Sequence, residues 1–311
     1  MSLAFVFPGQ GSQSVGMLTA LAAEYPVVKQ TFAEASQALS YDLWEIAEKG
    51  PDAELNRTEV TQPAMLAAGV ATWRAWLASH GPRPQYMAGH SLGEYTALVC
   101  AEAINFSDAV KLVADRGRFM QQAVPAGQGG MAALLGLEDD AVRRLCVQAG
   151  QGEVLEAVNF NSPGQVVIAG TAAAVARAVE QSKAAGARRA VLLPVSVPAH
   201  CRLMHPAARQ MAERLKQVDV RRPTVPIIHN AHVQPESDPQ AIRNALVSQI
   251  ESPVRWVETI QQIAAKGVTH LVECGPGKVL TGLSKRIVKT LVTLPVYDPV
   301  TLREALTVIG K

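Results

Sequence analysis

The chain has 311 residues, 48% hydrophobic and 18% charged, with a mean hydropathy of +0.10. That length suits one large α/β domain or a domain carrying an insertion, and the composition is that of an ordinary folded protein. A net charge of +2, a pI near 8.4, 5% aromatics and the lack of a basic tract argue against a nucleic-acid-binding surface.

The N-terminal stretch Met1 to Pro8 has no basic region, and its apolar run is too short for a signal peptide. No segment approaches the roughly 18 apolar residues of a membrane span. Cys100, Cys146, Cys201 and Cys274 are scattered with no C-x-x-C pair, which predicts neither a zinc site nor a disulfide framework and suits a reducing cytoplasm.

Leu3 to Phe7 is an unbroken apolar run, the mark of a strand buried on both faces of a parallel sheet. It leads into Pro8-Gly9-Gln10-Gly11-Ser12-Gln13, a loop at the strand end where open α/β sheets place their sites. The glycine spacing fits neither phosphate-binding pattern, but Gln10 between two glycines can bring its backbone N–H close to a ligand. Pro63 to His80 carries Leu66, Val70, Trp73 and Leu77 at helical spacing, and Pro82 and Pro84 end that pattern.

Gly89-His90-Ser91-Leu92-Gly93 follows the apolar run Tyr86 to Ala88 and precedes a helix-compatible run, Leu92 to Ala101. This is a G-x-S-x-G nucleophile elbow in its strand-turn-helix context, with the serine exposed over a helix N-terminus that favours developing negative charge. The plain alternative is a serine in a tight glycine-bounded turn. Next, Ser107 is a predicted N-cap with Asp108 in the first turn of a helix to about Gln122 that buries Val110, Val113, Gly117 and Met120. On pattern alone Arg116, flanking that stripe beside Leu112 and Met120, reads as a solvated side chain.

Pro125 to Gly130 is a linker, after which the periodicity changes. Strands at Met131–Leu137, Val154–Phe160, Gln165–Ala169 and Ala190–Val195 alternate with helices at Glu138–Ala149 and Ala172–Ala185. The order is β-α-β-β-α-β, a ferredoxin-like module. We therefore expect an α/β-hydrolase-like core at 1–124 and 198–311 and an inserted ferredoxin-like subdomain at 125–197. Beyond it, helices are predicted at Arg202–Val218, Asp238–Ile250 and Ser252–Lys266, with strands at Pro226–Ile228 and Val268–Cys274. Gly275-Pro276-Gly277-Lys278 fails the P-loop pattern, since Val272 and Val279 stand at its first glycine and its Ser/Thr positions.

A serine nucleophile needs a base. Of the seven histidines, His90 adjoins the serine in a turn where side chains diverge, and His229 with His232 is a weak metal pair lacking a third ligand. His200 ends a strand-to-loop segment at the domain junction, in proline-flanked apolar surroundings that hold an imidazole near neutral. Cys201 as nucleophile would have to bend back on its own neighbour.

Phe7-Pro8-Gly9-Gln10-Gly11-Ser12-Gln13, Gly89 to Glu94, Asn159 to Gln165, Pro198-Ala199-His200-Cys201 and Gly275 to Lys278 occur in this order. Together they resemble the bacterial malonyl-CoA:acyl carrier protein transacylases of type II fatty-acid synthesis, across essentially the whole chain. The resemblance implies Ser91 as nucleophile, His200 as its base and Arg116 as the grip on the malonyl carboxylate. It further implies Gln10 and the Leu92 N–H as the oxyanion hole, and Gln249 as the residue whose carbonyl orients the histidine. Pro198-Ala199 departs from the Pro-Ser of some relatives. No cofactor or metal is implied: malonyl-CoA and a phosphopantetheinylated acyl carrier protein are substrates, with no nucleic-acid or membrane partner. Competing expectations are a sister acyltransferase of a polyketide or malonate decarboxylase system, a serine thioesterase or hydrolase, and a non-catalytic scaffold. The basic pairs Arg188-Arg189 and Lys285-Arg286 are candidate docking points for an acidic carrier.

Overall fold

Every residue of β1 (Leu3–Phe7) is buried, as its unbroken apolar run requires of a strand covered on both faces. Leu3, Phe5 and Phe7 face one apolar core while Ala4 and Val6 face another, the period-two alternation of a strand between two helical layers. The computed structural model describes residues 2–195 and 197–310; Met1, Ser196 and Lys311, which include both ends of the expected core, lie outside the described residues.

After β1 come α1 (Thr19–Glu24), α2 (Val27–Leu39), α3 (Leu43–Lys49), α4 (Asp52–Leu55) and α5 (Thr58–Ala78). Then β2 (Tyr86–Gly89), α6 (Gly93–Cys100) and α7 (Phe106–Ala123) build the elbow and its flank. The next stretch is β3 (Gly129–Leu135), α8 (Asp139–Gly150), β4 (Leu155–Ser162), β5 (Gln165–Thr171), α9 (Ala172–Ser182) and β6 (Arg189–Leu192). A 3₁₀ turn at Arg202–Met204 leads to α10 (His205–Leu215), β7 (Ile227–Ile228), α11 (Pro239–Glu251) and α12 (Trp256–Ala265). The described chain closes with β8 (His270–Cys274), α13 (Val279–Ile287), β9 (Val292–Val296) and α14 (Pro299–Ile309).

Two sheets result. The first has strand order β7-β2-β1-β8-β9 with every neighbouring pair parallel. Its central register pairs Phe7 with Gly89, so the Pro8 loop and the elbow leave the same sheet edge side by side. The second has order β4-β5-β3-β6, antiparallel throughout. With the sequence β-α-β-β-α-β, that is the predicted ferredoxin-like arrangement. One of its faces forms a core with α8 and α9, and the other packs Met131, Val158, Val167 and Ala169 against Cys201 of the main body.

Several local expectations are corrected by long-range packing. The helix predicted from Pro63 begins five residues earlier, at Thr58, with Pro63 inside α5. Leu66, Val70 and Trp73 are buried as expected, yet the helix is buried nearly all round because α2, α6 and α7 surround it. The N-cap of α7 is Asn105, whose side chain accepts the Ser107 N–H, so Ser107 is already helical. Arg202–Val218 is not one helix but the 3₁₀ turn and α10. Ser252 to Arg255 is not helical: the Val254 N–H donates to Val158 and its carbonyl accepts from Phe160, tying the segment to β4.

Candidate active site

The elbow is possible only with its glycines. A Cβ on Gly89 would lie 1.8 Å from the carbonyl carbon of Gly93, and one on Gly93 would lie 2.0 Å from the Phe7 oxygen. Ser91 between them has φ 50°, in the left-handed region that a non-glycine residue holds only when its surroundings enforce it.

His200 comes to Ser91 through the end of α11, whose last carbonyls have no helical partner. The His200 backbone N–H donates to Ile250 O at 3.1 Å, and Nδ1 lies 2.8 Å from Gln249 O. A carbonyl only accepts, so Nδ1 carries the proton and the Nε2 lone pair faces Ser91 Oγ, 2.8 Å away. Burial, then the nearby Arg116 charge, pull the His200 pKa down from 6.5 to about 3, so the imidazole is neutral.

Arg116 is not solvated. It is 1% exposed on the inner face of α7. Its Nη2 donates to Ser91 Oγ at 3.2 Å and to Gln249 Oε1 at 3.0 Å, and its Nη1 donates to Gln62 Oε1 at 2.8 Å. The guanidinium carbon lies 5.3 Å from the Tyr95 ring centroid. These acceptors are all neutral, and burial lowers the guanidinium pKa, with Tyr95 and Glu94 opposing. A buried cation solvated by amides and a ring is a site prepared for an anion. Gln249 completes the ring of contacts by donating Nε2–H to Ser91 O at 2.9 Å.

Ser91, His200 and Arg116 line a cleft between the parallel-sheet body and the four-stranded sheet, with Gln249 behind them. Gln10, Leu92, Gln62 and Met120 share the body side, while Met131, Asn159, Leu193 and Val195 face them. Gln10 is exposed, and the loop rides on the elbow: a Cβ on Gly9 would lie 2.5 Å from His90 O and 3.7 Å from Leu92 N. Leu92 directly precedes α6, so its N–H has no carbonyl one turn back to take it.

The remaining candidates are engaged elsewhere. His90 turns to Asn161, 2.8 Å from Nε2 to Oδ1. Cys201 is buried, its Sγ donates to Pro198 O at 3.1 Å, and burial pushes its thiol up to about 12, so it is not the thiolate a nucleophile requires. His229 and His232 stack at 5.5 Å, and His229 Nδ1 lies 2.7 Å from the buried Glu94 carboxylate. Among the described residues no group of three or more His, Cys, Asp or Glu side chains is placed to hold a metal. The turn Gly275–Lys278 is not a phosphate cradle, because the Glu273 carboxylate already accepts the Leu280 and Thr281 N–H groups that begin α13. Arg188, Arg189, Lys285 and Arg286 are all exposed.

Gln62, Tyr95 and Asn230 escaped the sequence reading, and Glu94 entered it only as the last residue of the elbow motif, without a role.

Fold and cleft together define the acyl transferase class: the family described as "Acyl transferase domain" matches residues 4–303. Within that class the chain belongs to the malonyl CoA-acyl carrier protein transacylase family. It is 58% identical to the Salmonella typhimurium protein of that name over 304 residues, covering 98% of each chain. It is 43% identical to the Bacillus subtilis one, covering 98% of this chain and 96% of that. Among solved structures it is similar to the malonyl CoA-acyl carrier protein transacylase of Coxiella burnetii, with TM-score 0.99, 47% identity and coverage of 100% and 98%. It is also similar to a malonyl-transacylase solved in complex with its type II PKS acyl-carrier protein, with TM-score 0.98, 53% identity and coverage of 99% of each chain.

Proposed function

We propose that this chain transfers the malonyl group from malonyl-CoA to the phosphopantetheine thiol of an acyl carrier protein, through an ester on Ser91, and so supplies fatty-acid elongation. The observation that carries the reading is the convergence on one hydroxyl: Ser91 Oγ lies 2.8 Å from a neutral His200 Nε2 and 3.2 Å from the buried Arg116 cation.

In the first half-reaction Ser91 Oγ attacks the thioester carbonyl while His200 Nε2 takes its proton. The C–O bond forms, the carbonyl electrons move onto oxygen, and the backbone N–H groups of Gln10 and Leu92 stabilise that oxyanion. The intermediate then expels the CoA thiolate, which His200 protonates. The carrier thiol enters by the reverse steps, and Ser91 recovers its proton. The exchange of one thioester for another needs no redox or metal step.

Arg116 accounts for selectivity in two ways. Its fork suits a bidentate malonyl carboxylate. Its charge also holds the His200 pKa down, so a carboxylate bound on it offsets that effect and strengthens the base when the right substrate is present. An acetyl group does neither.

Two coarser readings accompany this one. The separate core under the four-stranded sheet supports treating 125–197 as an insertion between 1–124 and 198–311. Among the described residues no helix is long and apolar enough to cross a membrane, and we place the enzyme in the cytoplasm, where malonyl-CoA and the carrier meet. The test is intact mass spectrometry after mixing with malonyl-CoA alone. One malonyl mass on Ser91, discharged on adding carrier, is the expected result; prompt hydrolysis without carrier would favour a thioesterase.

A further inference from the structure

The sharp turn at Ser91 frees two backbone groups that one side chain takes. Asn230 Oδ1 accepts the Ser91 N–H at 2.7 Å, and Asn230 Nδ2 donates to Gly89 O at 2.7 Å. The amide can sit only one way round, because an N–H requires an acceptor and a carbonyl requires a donor. Asn230 is fully buried and does not line the cleft. It is itself held from behind: the Glu94 carboxylate accepts the Asn230 backbone N–H at 2.9 Å and lies 2.7 Å from His229 Nδ1. The Arg255 N–H donates to the Asn230 carbonyl at 3.3 Å. On the other side of the serine, Gln249 Nε2 donates to Ser91 O at 2.9 Å. Ser91 is thus gripped by a side-chain amide at each of its backbone polar groups.

We infer that Asn230 is a positioning residue for the nucleophile: its amide keeps Ser91 in the left-handed conformation that aims Oγ at His200, and Glu94 with His229 keeps that amide in register. Asn230 acts through Ser91 and does not touch the reacting atoms. The substitution N230D separates this role from mere packing. A protonated aspartic acid offers the same pair of contacts, a C=O for the Ser91 N–H and an O–H for the Gly89 carbonyl. An ionised one loses the donor and sets a charge against that carbonyl and against Glu94. The titratable or charged groups around position 230 are Glu94, His229, Arg255 and His90, which follows Gly89. Burial and the Glu94 charge both favour the neutral acid for a carboxyl placed there, against the Arg255 charge.

The experiment is single-turnover malonyl loading of Ser91 in wild type, N230D and N230A from about pH 5 to about pH 8. The N230D rate divided by the wild-type rate is expected to be near unity at the acid end and to fall on the order of 10²-fold as pH rises. N230A should load on the order of 10²-fold more slowly at every pH, with malonyl-CoA affinity unchanged in a Ser91→Ala background. An N230D ratio that does not vary with pH, or wild-type loading by N230A, overturns the inference. If N230A fails to fold, the N230D ratio decides alone. The inference rests on Ser91 carrying the acyl group: label found elsewhere in wild type defeats that reading, whereas a flat N230D ratio with Ser91 labelled defeats only this one.

Discussion

On the body side of the cleft, Ser91, His200, Arg116, Gln62 and Gln249 hold one another through contacts of 2.8 to 3.2 Å. Across from them, the four-stranded sheet and the segment after β6 present Met131, Leu193 and Val195 with Asn159 beside them, and the three apolar side chains can supply only shape. The polar wall is a cooperative network in low dielectric, where loss of one member strands the others. The apolar wall is a set of nearly independent contacts. Chemistry should therefore be fragile on one side and admission of the acyl chain graded on the other, and the following experiments test that contrast.

The largest break is expected at the proposed reacting pair. Ser91→Ala should gain no malonyl mass, and His200→Ala should lose on the order of 10⁴-fold or more in kcat, because members of such a unit fail together. A double variant no slower than either single one is the signature of the network, and multiplicative losses would dissolve it.

Arg116→Ala comes next. Malonyl loading should fall roughly 10²–10³-fold, while acetyl loading falls little or rises, since truncation also removes the cost of a stranded buried cation. Arg116→Lys should recover only part, for want of the two-pronged geometry. The measurement is kcat/KM with malonyl-CoA and acetyl-CoA, and an unchanged ratio would take the carboxylate away from this arginine.

The pH profile sharpens the same wall. In the proposed mechanism neutral His200 is the active form, and its pKa of about 3 in the free enzyme places the acid limb of kcat/KM well below the ordinary histidine value of 6.5. With malonyl bound on Arg116 the pKa rises, so the acid limb of kcat should lie at higher pH than that of kcat/KM. Arg116→Ala should raise the kcat/KM limb and narrow the gap. Below pH 6.5 the unfolded chain takes up a proton that the folded site refuses. The contribution of His200 is therefore lost as pH falls through 6.5, down to about 3.

The smallest effects belong to the facing wall and to the exposed surface of its sheet. Leu193→Ala should change kcat/KM by less than about tenfold and leave the acid limb where it was, since only apolar contact is removed. Charge reversal at the exposed Arg188-Arg189 pair should raise the KM for the acidic carrier by a few-fold, in a salt-dependent way, with malonyl loading intact. Equal damage to both half-reactions would reject a docking role.

What the sequence determined by itself is what lies within a few residues. Leu3–Phe7 was legible because a strand buried on both faces leaves no polar position. The elbow was legible because Gly89 and Gly93 touch the backbone around Ser91 directly, and the split βαβ because each of its elements carries its own period. Resemblance to a family supplied the proposed roles of Arg116, Gln249 and Gln10, which periodicity had left as a solvated arginine, a helical glutamine and a loop residue. Tertiary structure decided the rest. Arg116 is buried because Gln62 from α5 and Gln249 from α11 reach it across 54 and 133 residues of chain. Ser252–Arg255 is extended because β4 takes its hydrogen bonds, and Asn230 meets Ser91 across 139 residues. Such contacts leave no local trace, since a polar side chain can pass from solvent to a buried partner without altering the pattern of its own element.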